Sequence, residues 1–186
     1  WAMDPPAPGR YRLWYERCSA RIVGHGFAAP QNWMQYVVSM LVFNLAIFAL
    51  TYLVLMLQGH LPLNPDAKEG LEASLAFNTA ASFTSNTNLQ HYSGEQSLSY
   101  FAQLFAIMWC QFVSAATGIA AVTALCRGLS GRRTLGNFYQ DCWRATSLVL
   151  LPLSLVMAIV LILAGTPMTL EGAAEAFTLE GAVQTI

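Results

Sequence analysis

From Met34 to Leu57 the chain runs through 24 residues, MQYVVSMLVFNLAIFALTYLVLML, without one charged side chain. A helix needs about 20 apolar residues to cross a bilayer core, so this run is long enough to span with some tilt. Ser97–Cys126 is a second uncharged run, ending at Arg127. Thr146–Gly165 is a third, in which Pro152 is expected to produce a kink near the start. Pro30 and Gly59 flank the first run at positions that tolerate helix ends. Trp33, Tyr36 and Tyr52 lie toward its ends, where interfacial anchors are common. Charged residues are only 10% of the 186, against about 25% in a soluble domain. The formal net charge of −1 provides no basic field, so nucleic acid is not an expected partner and membrane lipid is. The expected fold class is an all-α membrane protein.

Between the first two spans lies a shorter helical pattern. In EASLAFNTAASF, Glu72–Phe83, the residues Leu75, Ala76, Thr79, Ala80 and Phe83 recur at helical spacing. Twelve residues are too few to span. Charge then sets the orientation. Arg10, Arg12, Arg17 and Arg21 precede the first span, and Arg127, Arg132, Arg133 and Arg144 lie between the second and third. Segment 58–96 has only Lys68 against Asp66, Glu69, Glu72 and Glu95, and the tail carries Glu171, Glu175 and Glu180. Basic loops face the cytoplasm, so residues 1–33 and 128–145 are expected inside, with 58–96 and 166–186 outside. The short helix therefore returns to the side it came from. It is either surface-lying or re-entrant, and re-entrant backbone is tolerated where protein buries it or it lines a watery cavity.

The residues after that helix are chemically distinctive. Thr84, Ser85, Asn86, Thr87 and Asn88 are neutral, and each offers a backbone carbonyl and a side-chain oxygen. If the helix dips inward, its C-terminus brings unpaired carbonyls and the negative end of the macrodipole to this point. Rows of neutral oxygens replace the hydration shell of a large monovalent cation, whereas a divalent site would use carboxylates, and there is none between Glu72 and Glu95. Gln90 and His91 follow as flanking groups. Asn, Ser and Thr clusters also form plain turns, and the loop alone allows either reading; the topology and the absence of charge favour a pore element.

Other polar and sulfur residues read as structural. Cys18, Cys110, Cys126 and Cys142 are too dispersed for a zinc site or a disulfide framework. Ser114–Ala121, SAATGIAA, is a small-residue stretch suited to close helix packing. Gln103, Gln111 and Asn44 are expected to bond between helices, Asp141 and Arg144 to form an exposed helical pair, and His25 and His60 to be surface residues. Trp109 and Cys110 read as packing. The polar first residues lack the apolar core of a signal peptide, and position 1 is not Met, as in a piece of a longer chain.

With these elements in place, the chain closely resembles the channel-like potassium-binding subunits of Kdp-type potassium-transporting ATPases. The resemblance is carried by FNTAASFTSNTNLQHYSGEQSLSYFAQ, FVSAATGIAAVTALCRG, TLGNFYQDCWRATSLVLLPLSL, LEGAVQ and the PLNP at 62–65, and extends from about Asn32 onward. It implies four successive helix–pore loop–helix repeats in a whole family member, each giving one wall of a filter. Here one repeat would occupy 34–127, with a pore helix at 72–83 and a filter at 84–88, and residues 146–165 would open the second repeat. The family's additional N-terminal helix has no counterpart, and a second filter would follow Ile186. The first filter of the family is TNTN-like, which maps to Ser85, Asn86, Thr87 and Asn88; Ser85 stands where members commonly carry Thr. Thr84 and Gln90 flank it. The implied ion is potassium, with no organic cofactor. The implied partners are a P-type ATPase catalytic subunit, which hydrolyses ATP, and small accessory subunits, in a bacterial inner membrane with the N-terminus cytoplasmic. This chain would not itself be the enzyme. A self-assembling tetrameric cation channel and a pore-less membrane scaffold are the competing readings.

Overall fold

A computed structural model describes residues 3, 29–166, 170–172 and 174–185. Arg10, Arg12, Arg17, Arg21, Cys18 and His25 lie outside the described residues. Helix α1, Trp33–Leu57, continues into a tight turn at Gln58–His60. Its start is fixed by a reciprocal cap: Gln35 N–H donates to Asn32 Oδ1 at 2.9 Å, and Asn32 N–H donates to Gln35 Oε1 at 3.0 Å. Helix α2 is Ala73–Thr84 and helix α3 is the single turn Gly94–Ser97. Helix α4 is Tyr100–Leu129 with a widened π stretch at Gln103–Met108. It begins later than hydropathy suggests because Leu98 and Ser99 are extended and the Ser99 side chain caps Ala102 N–H.

Helix α5 is Phe138–Leu163, starting well before the apolar run at Thr146. The reason is Asn137, whose Oδ1 accepts from Tyr139 and Gln140 N–H. A second π stretch, Ala145–Leu150, ends two residues before Pro152. Proline lacks an N–H and crowds the carbonyl four residues back, and a widened turn relieves that crowding. Among the described residues, α1 with its terminal turn, α4 and α5 are the three helices long and apolar enough to cross a membrane. The tail adds a short antiparallel pair that hydropathy did not reveal: β1, Glu175–Phe177, against β2, Val183–Thr185, in the register Ala176 to Gln184.

The chain divides into two compact units, Trp1–Asn44 with Ala115–Leu161 and Leu45–Ser114 with Ile162–Ile186. The first has a core of Tyr36, Ala120, Ala124, Phe138 and Cys142. Phe138 meets the rings of Tyr36 and Phe43 edge-on at 5.6 and 5.5 Å. The small residues expected to allow close packing do so at Ala116 and Ala120, both buried. In α5 every large apolar side chain from Leu151 to Leu163 is exposed, which suits lipid or protein in a membrane and not water.

Three expectations change in this unit. Tyr36 is not an interfacial anchor: it is buried, and its hydroxyl donates to Asp141 Oδ2 at 3.0 Å and to Ala120 O at 2.9 Å. Asp141 and Arg144 are not an exposed pair, since both are 1% exposed. Asp141 instead takes both Arg127 guanidinium nitrogens, at 2.5 and 3.0 Å. A carboxylate inside a helical unit is stable only with such partners. Asn44 donates to Met40 O within its own helix and not to a neighbour.

The second unit packs α2 into a core of Leu55, Ala76, Phe83, Leu98, Ala102, Ile107 and Cys110. Gln58 is fully buried and spends its whole amide on backbone. Its Nε2 donates to Glu69 O and Ser97 O at 2.7 and 2.8 Å, and its Oε1 accepts from Ser99 N–H at 3.0 Å. One side chain thus ties the end of α1 to both flanks of α2.

Candidate functional site

Helix α2 is fixed at both ends by polar chemistry. At its start Glu72 accepts from the N–H groups of Ser74 and Leu75 and from the Ser74 hydroxyl. These bonds, the Ser74 hydroxyl first, hold the Glu72 carboxyl below its ordinary value. One face is buried through Ala76, Thr79, Ala80 and Phe83. Phe77, on another face, meets Phe48 edge-on at 5.2 Å.

At the C-terminal end, Ser85 N–H donates to Ala81 O at 3.0 Å, Asn86 N–H to Phe83 O at 3.4 Å, and Thr87 N–H to Ser82 O at 2.9 Å. The last two are the nested pair of bonds that closes a helix around a left-handed residue. That residue is Asn86, at φ +60°. Glycine is usual there, and asparagine is among the few side chains that accept the conformation. Asn88, at φ +56°, repeats it. Its N–H also reaches Ser82 O, at 3.3 Å, and Leu89 N–H reaches Ser82 Oγ at 2.7 Å.

The N–H groups of residues 86, 87, 88 and 89 are therefore all turned toward the end of α2. No peptide bond here is cis. In a trans peptide the carbonyl of the preceding residue points opposite to the N–H. The carbonyls of Ser85, Asn86, Thr87 and Asn88 thus point away from the helix end, and they accept no hydrogen bond among the described residues. The sequence led us to expect unpaired carbonyls on the helix itself. Instead the carbonyls of Ala81, Ser82 and Phe83 are taken, and the free oxygens belong to the turn that caps them.

All four of Ser85, Asn86, Thr87 and Asn88 are exposed. Ser85 Oγ and Thr87 Oγ1 lie 2.9 Å apart and are hydrogen-bonded. Thr84 closes the last turn of α2 and is half-buried. Gln90 is exposed, and its Nε2 donates to Tyr92 O at 3.3 Å. Tyr92 leads the chain back along α2, where its hydroxyl accepts from Thr79 Oγ1 at 3.2 Å. Burial pushes the Tyr92 phenol above its ordinary value. No group of three His, Cys, Asp or Glu among the described residues could hold a metal ion. The donors present are neutral oxygens, a set suited to a large, weakly hydrated monovalent cation.

Two residues that hold this turn were not legible beforehand. Ser82 takes three N–H groups through its carbonyl and hydroxyl. A serine two residues before a helix end, followed by a run of Asn, is a usable signal for it. Ser114 of α4 donates to Asn86 Oδ1 at 3.1 Å, and nothing in a small-residue stretch distinguishes it from a packing serine.

Comparison with known proteins is consistent across nearly the whole chain. A family described as the potassium-transporting ATPase A subunit, KdpA, matches residues 8–186. A potassium-transporting ATPase potassium-binding subunit from Pseudomonas putida is 51% identical over 168 residues, covering 89% of this chain and 30% of the relative. The protein of the same description from Pseudomonas aeruginosa is 51% identical over 173 residues, covering 92% of this chain and 31% of its own length. One from Alicyclobacillus acidocaldarius is 47% identical over the same span and with the same coverage. The chain thus spans about three tenths of the length of the curated relatives it matches. With three helices able to cross a membrane, it is a multi-pass membrane protein. The match over residues 8–186 makes the chain a member of the potassium-transporting ATPase A subunit family.

Proposed function

We propose that this chain supplies one wall of a potassium path in an ATP-driven potassium uptake pump. Segment α1–α2–α4 acts as a helix–pore loop–helix repeat, and α5 opens the next repeat. Residues Ser85, Asn86, Thr87 and Asn88 form the ion-facing strand, flanked by Thr84 and Gln90. The observation that carries the reading is the outward set of four unpaired carbonyls, fixed by N–H groups bonded to the end of α2.

Such carbonyls replace water around a dehydrating cation without a fixed negative charge to trap it. The C-terminal end of α2 adds a weak negative potential behind them. Ions enter from outside, a direction supported by the arginines of the N-terminal segment and of 128–145, since basic loops favour the cytoplasmic side. The home is a bacterial inner membrane. A P-type ATPase catalytic subunit hydrolyses ATP, small accessory subunits complete the complex, and this chain performs no hydrolysis. The names of the relatives, potassium-binding subunits of potassium-transporting ATPases, support both the ion and the complex.

The test is Asn86→Asp in the full-length protein within its complex. A fixed charge among neutral oxygens should change the apparent potassium affinity at least about tenfold, or reorder selectivity against sodium and rubidium. Unchanged affinity and selectivity would remove Asn86 from the ion path.

A further inference from the structure

Within the turn, the side chain of Asn86 is held from outside the loop. Ser114, only 5% exposed, donates its hydroxyl to Asn86 Oδ1 at 3.1 Å. Asn88 Nδ2 approaches the same oxygen at 3.5 Å, beyond a good bond length. Ser114 is thus the main hydrogen-bond partner of this amide. Asn86 is exposed and left-handed, and a free amide there would sample several rotamers. A buried hydroxyl on a membrane helix removes that freedom.

Ser114 is itself fixed. Its Oγ lies 2.6 Å from Cys110 O one turn earlier, so its single proton is shared between two acceptors. Cys110 Sγ lies 2.9 Å from Thr51 Oγ1 on α1. A polar chain, Thr51 to Cys110 to Ser114 to Asn86, therefore backs the exposed turn, all within one compact unit.

We propose that Ser114 is a positioning residue for potassium binding, whose hydroxyl holds the Asn86 amide and so keeps the carbonyls of residues 85–88 aimed at the ion. The role rests on the reading of 85–88 as the ion-facing strand. Preorganised donors bind more tightly because less ordering remains to be done on binding. Loss of the tether should therefore appear in affinity and not in turnover.

The experiment measures potassium-dependent ATP hydrolysis by the complex containing the full-length protein. Ser114→Ala should raise KM for potassium about three- to tenfold, the range of one hydrogen bond, with kcat within about twofold. Ser114→Thr, which keeps the hydroxyl, should restore KM to within about twofold of the parent. Ser114→Cys, a weaker donor of similar shape, should fall between, and it carries the comparison if the alanine variant fails to assemble. In an Asn86→Gly background, which keeps the left-handed backbone, Ser114→Ala should have no further effect on KM. Unchanged KM in Ser114→Ala, or an equal rise in both backgrounds, overturns the tether. If Asn86→Asp still alters selectivity in that case, the ion-facing strand stands without Ser114. If Asn86→Asp is silent, the strand itself is at fault.

Discussion

Two polar clusters in this chain solve opposite problems. Around Asp141, full charges are buried. The carboxylate receives two guanidinium nitrogens of Arg127 and the hydroxyl of Tyr36. Arg127 Nη1 also donates to Leu135 O at 2.6 Å, and Nη2 to Met3 O. At residues 85–88 the groups are neutral and exposed, and their N–H halves are bonded while their carbonyl halves accept no bond among the described residues. Charge is buried here with charged and hydroxyl partners around it, and neutral oxygen is left exposed at the end of a short helix. A buried ion pair in a low-dielectric setting is held too firmly to act as a transit site, while single carbonyls bind weakly enough to release.

The sharpest way to break this contrast is to unpair the charged cluster. Asp141→Asn leaves the Arg127 guanidinium buried without its counter-charge, which destabilises by about 3–5 kcal/mol. The expected result is little full-length protein recovered from membranes, and a lowered melting temperature for what remains. Replacing both partners, as in Arg127→Met with Asp141→Leu, should restore most of the loss, because well-packed apolar pairs often substitute for buried ion pairs. Gly136 sharpens the point. At φ +91°, a Cβ there would lie 2.4 Å from Arg127 Nη1, so even alanine would push against the pair.

In the turn the expected effects are smaller and come from backbone conformation. Asn88 sits at φ +56°. Asn88→Gly should leave folding stability nearly unchanged, whereas Asn88→Val should lower it by about 1–2 kcal/mol, the cost of a left-handed non-glycine residue. Thermal unfolding in detergent reads the difference. If both variants melt alike, the left-handed geometry at this position is not what holds the turn.

The same contrast explains what the sequence made legible. Hydropathy found all three long helices, because lipid exposure writes itself as uncharged length. It misjudged where α4 and α5 begin, because those starts are set by Ser99 and Asn137 as caps and hydropathy does not weigh a single cap. The neutral run at 84–88 and the short helix before it were readable from residue type and charge. Their geometry was not, since the free oxygens are those of the capping turn and not of the helix. The pairing of Asp141 with Arg127 was missed for a related reason. They are fourteen residues apart, on different helices, while Asp141 and Arg144 share one helix at a spacing that looks like a local pair. Pairing between helices leaves no periodic trace in the chain.

The smallest expected effect lies at the other end of α2. Glu72 is exposed, and its carboxylate bonds to Ser74 and Leu75 hold it below the ordinary value of 4.5. A group with a lowered folded value stabilises the folded state above its unfolded value, and the contribution fades as pH falls from there through the folded value. The cap should thus be intact at neutral pH and weaken only below about 4.5. A carboxyl titration followed by NMR should show Glu72 titrating below the reference, and Glu72→Gln should remove the acid-dependent part of α2 stability. Because the group is fully in water, neighbouring salt should change little, the effect resting on short hydrogen bonds and not on distant charge. If Glu72 titrates at its ordinary value, the cap is not formed in the membrane. The turn at 85–88 would then have to be held in place by α4, through Ser114, and by the core contacts of Ala76 and Phe83.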